Sequence, residues 1–191
     1  PRLATLINAT GVVLHTNLGR APVSPVTAEA MSVAAQGAGP LEIDPATNRR
    51  GGRMGEITAL MRVLTGAEAT LVVNNCAAAV LLVLSSLASG NEVIVSRGEA
   101  IEIGGGFRIP DVLRQSGARL VEVGTTNRTY AQDYLAATTI DTAAYLKVHP
   151  SNFRVTGFTH ASRASELTAF AREHGTLVLE DLGSGALLDT A

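Results

Sequence analysis

The stretch TLVLEDLGSG, residues 176–185, decides how the rest of the chain is read. Leu177, Val178 and Leu179 form a short apolar run that ends in Glu180 and Asp181, followed by Gly183, Ser184 and Gly185. This is the pattern of a buried strand that delivers a carboxylate at its C-terminal end. In an open α/β sheet, that end faces the ligand crevice. An acid there either pairs with a positive group of a ligand or forms a turn or helix cap. The glycines let the backbone bend closely beneath it.

Toward the N-terminus the same apolar pattern recurs. Strand-like runs fall at 70–73, 93–96, 119–123 and 143–149, before the one at 177–180, with helical spacing between them at 75–87, 110–116, 130–137 and 162–174. Strands alternating with helices predict an α/β fold of three layers, a mostly parallel sheet flanked by helices. The helix at 75–87 is apolar on nearly every side, which predicts burial between layers. Ahead of these lie a polar, turn-rich opening to residue 18, read as an extended arm, and a helix begun by Ser24 and Pro25 and stopped by Gly37. A loop rich in Gly and Pro follows and carries Arg49, Arg50 and Arg53, after which Ile57, Leu60, Met61 and Leu64 return to helical spacing.

Three more junctions put reactive groups at strand ends. After the apolar run at 70–73 come Asn74, Asn75, Cys76 and Ala77 at a helix start, where free N–H groups and the helix dipole favour an anion. The same asparagines equally serve as helix caps. His149, Ser151 and Asn152 follow the strand that holds Lys147, and offer either hydrogen bonds to a ligand or ordinary turn chemistry. Arg97, Gly98 and Glu99 follow the run at 93–96 and lead to Gly104, Gly105 and Gly106. Arg49, Arg50 and Arg53 suit bidentate binding of a small oxyanion or a solvated loop surface, and Arg20 is open to the same two readings. No Walker A sequence and no G-x-G-x-x-G after a strand occurs.

Composition narrows the class. Fifteen basic against 17 acidic residues give a formal charge of −2, so no global field draws this chain to nucleic acid or an anionic membrane. Any contact with nucleic acid is local or supplied elsewhere. Cys76, the single cysteine, excludes an internal disulfide and a multi-cysteine metal site and fits a reducing, cytoplasmic setting. The longest apolar run, 77–84, is too short to span a bilayer, so no membrane partner is expected. The chain begins with Pro1 and ends at Ala191, just past its last strand, and is read as a piece of a longer protein.

The stretches INATGVVLHTNLGRA, LTGAEATLVVNNCAAAVLL, EVIVSRGEAIEIGGGFRIPDVLRQSGARLVEVGTTNRT, LKVHPSNFRVTGFT and EDLGSGAL resemble, in order, the bacterial L-seryl-tRNA(Sec) selenium transferases, or selenocysteine synthases. The resemblance implies a fold type I pyridoxal-phosphate enzyme, of which residues 24–191 are a partial large domain and residues 1–23 an N-terminal arm. It implies pyridoxal 5′-phosphate as cofactor, with Asp181 on the pyridine nitrogen and Asn75, Cys76 and Ala77 at the phosphate. His149, Ser151 and Asn152 are then expected near the ring oxygen or substrate, His149 with a catalytic role, and Arg97, Gly98 and Glu99 near the ring face. Arg49, Arg50 and Arg53, with Arg20, are expected to meet the substrates.

The implied reaction converts seryl-tRNA(Sec) to selenocysteinyl-tRNA(Sec) with selenophosphate, by β-elimination and selenium addition, in a homo-oligomer built of dimers. A related ammonia lyase acting on an amino acid or amino sugar acid is the alternative, as is a binding or assembly remnant without chemistry. Two departures, and a smaller one at Cys76, qualify the match. The family's Ser-Gly-Asp-Lys segment, whose lysine holds the cofactor, is not present, and Lys147 does not fit that role, so this segment alone is not expected to turn over. The domain by which the family grips tRNA is also absent, and Cys76 stands where an asparagine is usual.

Overall fold

The computed structural model describes residues 4–19, 22–103, 105–183 and 185, and its chain divides into two compact units, Pro1–Glu56 and Ile57–Ala191. In the first unit, residues 4–19 form neither helix nor strand. Helix α1 (Pro25–Gln36) starts where Ser24 accepts the Thr27 N–H at 3.2 Å and Pro25 supplies a helix-compatible φ. Within the loop that follows, β1 (Ile43–Asp44) and β2 (Arg49–Arg50) form a small antiparallel hairpin. Asp44 closes its turn by accepting the Ala46 N–H at 2.9 Å and the Thr47 hydroxyl at 2.7 Å, and Asn48 takes a left-handed φ of 49°.

Helix α2 (Gly55–Thr65) ends at Gly66, whose φ of 70° lets its N–H reach back to the Arg62 carbonyl. The strand expected at 70–73 does not form: these residues make no ladder with any described residue, and a strand exists only through a partner. Helix α3 (Cys76–Leu87) follows at once. From there the chain alternates as expected. β3 (Glu92–Ser96) leads through one 3₁₀ turn, Arg97–Glu99, to the short pair β4 (Glu102–Ile103) and β5 (Phe107–Arg108), then α4 (Ile109–Ser116) and β6 (Arg119–Val123). Next come β7 (Arg128–Thr129), α5 (Ala131–Ala137), β8 (Thr142–Val148), β9 (His160–Ala161), α6 (Ala164–His174) and β10 (Leu177–Asp181).

The central sheet has the order β10-β8-β3-β6, with all its pairings parallel. Alternate residues of its strands feed two cores. Val93, Val95, Ala144 and Leu146 pack with Leu84 of α3 and Val112 and Leu113 of α4. Ile94, Val123 and Tyr145 pack with Tyr134 of α5 and Leu167 and Ala171 of α6 on the opposite face. The fold is therefore α/β in three layers, a parallel sheet between helices. α3 departs from the expected burial on every side: Leu84 is 1% exposed, but Leu82 and Leu87 are 41% and 50% exposed. Among the described residues no layer covers that outer face.

The topology places the site. From β3 the chain steps to one neighbour, β6, and then crosses back to β8 on the other side of β3, so the winding reverses between β3 and β8. The crevice outside the carboxyl ends at such a reversal is where open α/β sheets bind ligands. No helix among the described residues is long and apolar enough to cross a membrane.

Candidate active site

Asp181 is the last residue of β10, and its Oδ1 accepts the Gly183 N–H at 2.8 Å and the Cys76 thiol at 3.4 Å. One end of the sheet thus meets the start of α3. Asn75 is the N-cap of α3: its side chain accepts the Ala78 N–H at 2.9 Å, and its carbonyl accepts the Ala79 N–H. The N–H groups of Cys76 and Ala77 have no acceptor among the described residues, as helix geometry requires of a first turn. They and the helix dipole supply a positive seat beside the carboxylate. Burial, and then the neighbouring Asp181 charge, push the Cys76 thiol up to about 11, so it is a protonated donor to that carboxylate at neutral pH.

At the end of β8, the His149 N–H donates to the Asp181 carbonyl at 3.0 Å. Gly183 holds a φ of 60°, and a Cβ there would sit 3.4 Å from the His149 ring and 3.8 Å from Ser151, so both side chains lie against the turn that follows Asp181. Asn152 instead uses its side-chain N–H on the Glu102 carbonyl at 2.9 Å.

The turn after β3 is held against the segment after β6. Ser96 Oγ shares a 2.7 Å hydrogen bond with Thr129 Oγ1 and accepts the Gly98 N–H, and Arg97 reaches the Gly124 carbonyl at 3.4 Å. Gly98 is required there, since a Cβ would lie 2.8 Å from the Thr126 carbonyl oxygen. Glu99 lies beneath the edge and not open upon it: its carboxylate accepts Lys147 Nζ and the Val148 N–H, with both charged side chains 9% exposed. This buried pair is the feature that sequence reasoning missed. Its signal was present, because one lysine inside the apolar run AAYLKV must find a carboxylate or leave a buried charge unpaired.

In the first unit, Glu42 collects two of the three loop arginines, Arg50 at 2.9 Å and Arg53 as well. Arg49 makes no ion pair among the described residues. Arg20 lies outside the described residues. Among those residues no cluster of His, Cys, Asp and Glu is arranged to hold a metal ion.

Comparison with known proteins names the family. The model of the L-seryl-tRNA selenium transferases matches residues 6–191. The chain belongs to that family. It is 57% identical over 189 residues to the L-seryl-tRNA(Sec) selenium transferase of Hyphomonas neptunium, covering 99% of this chain and 41% of that protein. To the protein of the same name from Moorella thermoacetica it is 58% identical over 187 residues, covering 98% and 40%. The chain therefore spans about two fifths of the length of these relatives.

Among solved structures, D-glucosaminate-6-phosphate ammonia-lyase superposes with a TM-score of 0.72 at 20% identity, over 92% of this chain and 48% of that one. Serine palmitoyltransferase from S. paucimobilis with bound PLP superposes with a TM-score of 0.53 at 18% identity, over 81% and 37%. These place the chain of this selenium transferase family in the fold of type I pyridoxal-phosphate enzymes. Pyridoxal phosphate is the cofactor that family and fold imply. The residues present fit it: Asp181 Oδ2 has no partner among the described residues and would accept a ring N–H, and the N–H groups of Cys76 and Ala77, also without an acceptor there, would donate to a phosphate.

Proposed function

We propose that the full-length protein converts seryl-tRNA(Sec) to selenocysteinyl-tRNA(Sec) with selenophosphate. In net terms the seryl carbon–oxygen bond breaks, a carbon–selenium bond forms at the same carbon, and the phosphoryl group passes from selenium to oxygen and leaves as phosphate. The observation that carries this reading is the meeting of Asp181 with the first turn of α3 at one sheet edge, in a chain matched by the family along almost its whole length.

Pyridoxal phosphate, when bound, supplies the electron sink for loss of the α-proton and then of the β-hydroxyl. Asp181 holds the ring nitrogen protonated, because a carboxylate beside a cationic acid raises its pKa. The Cys76 and Ala77 amides hold the phosphate, with Asn75 fixing the turn that presents them. Arg97 and Gly98 border the ring from β3, and His149, Ser151 and Asn152 border the ring oxygen and substrate from β8. His149 is assigned the proton transfers, since an imidazole can both give and take a proton. Lys147 is committed to Glu99 and is not the residue that holds the cofactor. Arg49, Arg50, Arg53 and Arg20 are assigned to substrate, the first three to the selenium donor.

Residues 1–23 as an arm, residues 24–191 as part of a cofactor-binding large domain, assembly as a homo-oligomer of dimers and a cytoplasmic setting belong to the same proposal. The likeness to the ammonia-lyase is one of fold, whereas relatives above 50% identity carry the transferase name. The test is to give the purified full-length protein seryl-tRNA(Sec) with selenophosphate, and separately D-glucosaminate 6-phosphate. Selenocysteinyl-tRNA in the first assay and no ammonia in the second are expected; the reverse result overturns the assignment.

A further inference from the structure

β3 pairs with β8 as far as Val95 opposite Leu146, and then turns away into Arg97–Glu99. β8 runs on to Val148. On the β10 side these last residues stay in the ladder, with Val148 opposite Asp181 and the His149 N–H on the Asp181 carbonyl at 3.0 Å. Because successive N–H groups of a strand point to opposite sides, the Val148 N–H faces the vacated β3 side. Glu99 Oε2 takes the place of the missing strand there, accepting that N–H at 3.0 Å. The other carboxylate oxygen accepts Lys147 Nζ, and the ammonium lies 5.8 Å from the centre of the Tyr134 ring. The buried Tyr134 hydroxyl has no partner among the described residues, so within that core Lys147 is the group paired with the carboxylate. A carboxylate left without Lys147 would be an uncompensated buried charge.

We propose that Glu99, seated by Lys147, is a positioning residue that locks the Arg97–Gly98 turn to the strand end bearing His149, so that both sides of the crevice keep one spacing around the ligand. The inference rests on the pyridoxal-phosphate reading of this edge. A pair that only neutralised charge would need a single oxygen; here the second oxygen is on the main chain of the neighbouring strand. The turn before Glu99 carries Arg97, and the residue after Val148 is His149, so one side chain spans the point where the winding reverses.

The experiment uses two double variants of the full-length protein, Glu99→Gln with Lys147→Met and Glu99→Ala with Lys147→Met. Neither leaves an unpaired buried charge, and only the first keeps an oxygen for the Val148 N–H. Each apoprotein is titrated with pyridoxal phosphate in a calorimeter, and its melting temperature is measured without the cofactor. The Gln–Met protein is expected to bind within about threefold of wild type and the Ala–Met protein roughly tenfold or more weakly, with closely similar melting temperatures. Equal affinities in the two doubles overturn the proposal, as does failure of either to fold, since a pair needed merely to fold is not a positioning device. A wild-type protein that takes up no pyridoxal phosphate overturns the underlying reading as well, and is told apart because the reference itself fails.

Discussion

The Cys76 thiol donates to Asp181 Oδ1 at 3.4 Å across 105 positions of sequence. With the Gly183 N–H on the same oxygen at 2.8 Å, two donors hold Oδ1, and Oδ2 has no partner among the described residues. Burial and the adjacent carboxylate both disfavour the thiolate and raise the thiol to about 11. Iodoacetamide labelling of the Cys76 peptide, followed by mass spectrometry, is expected to stay slow through pH 8 to 9 and rise only as pH approaches 11. The sign for stability follows. Between an unfolded thiol near its ordinary 9 and the folded value near 11, the native state holds the proton that the unfolded state has lost, so this contribution falls as pH rises through that window. Labelling that is half-maximal near pH 8.5 would contradict the contact.

Under the proposed function, Asp181→Ala in the full-length protein is expected to lower single-turnover formation of selenocysteinyl-tRNA by about 10²-fold or more, since it would remove the charge assigned to the ring nitrogen. The far-ultraviolet circular dichroism should stay unchanged, because the side chain ends a strand and is not part of either core. Near-normal turnover by the variant would refute the role given to this residue.

The loop arginines are testable by separating the two substrates. The Arg50 and Arg53 side chains are 83% and 65% exposed, so their pairs with Glu42 contribute at most about 1 kcal/mol and can exchange for a ligand. Arg49→Ala and Arg50→Ala are each expected to raise KM for selenophosphate about tenfold, the worth of one charge-assisted hydrogen bond, with the affinity for seryl-tRNA unchanged. Steady-state kinetics with selenophosphate varied checks this, and an unchanged KM in both variants removes the loop from the donor site.

Two glycines with nearly the same backbone angle should respond differently to alanine. Gly66 at φ 70° has open space where a Cβ would go, and Gly66→Ala should cost only the left-handed strain, about 1 kcal/mol. Gly124 at φ 69° would drive its Cβ into Thr129 Oγ1, the hydroxyl that also holds Ser96, so Gly124→Ala should cost more than about 2 kcal/mol. Urea melts of the two variants decide the matter; equal losses would mean that the packing of Gly124 on Thr129 is not tight.

Much of this architecture is legible along the chain because it is local. Ser24 with Pro25 and Asn75 before Cys76 mark helix starts through hydrogen bonds within a few residues, and the structure places α1 and α3 there. The apolar runs near 93, 119, 143 and 177 read as strands, and all four join one parallel sheet, the inner two buried and the outer two, β6 and β10, only partly so. The run at 70–73 has the same character but no ladder among the described residues, since pairing depends on a neighbour that its own residues do not specify. The apolar outer face of α3 is exposed for a related reason: hydrophobicity shows that a residue favours burial, not that anything covers it.

Sequence alone determined the main helices, the four strands of the central sheet in their order and the acid at the end of the last one, because strand period, helix caps and glycine punctuation act over a few residues. Only the folded chain decided which charges meet: Glu99 with Lys147 under the edge, Glu42 with Arg50 and Arg53 in the hairpin unit, and the Cys76 thiol with Asp181. Electrostatic partners are chosen by distance in space and by how far each is removed from water. Both quantities arise only when the sheet order has brought remote strand ends side by side.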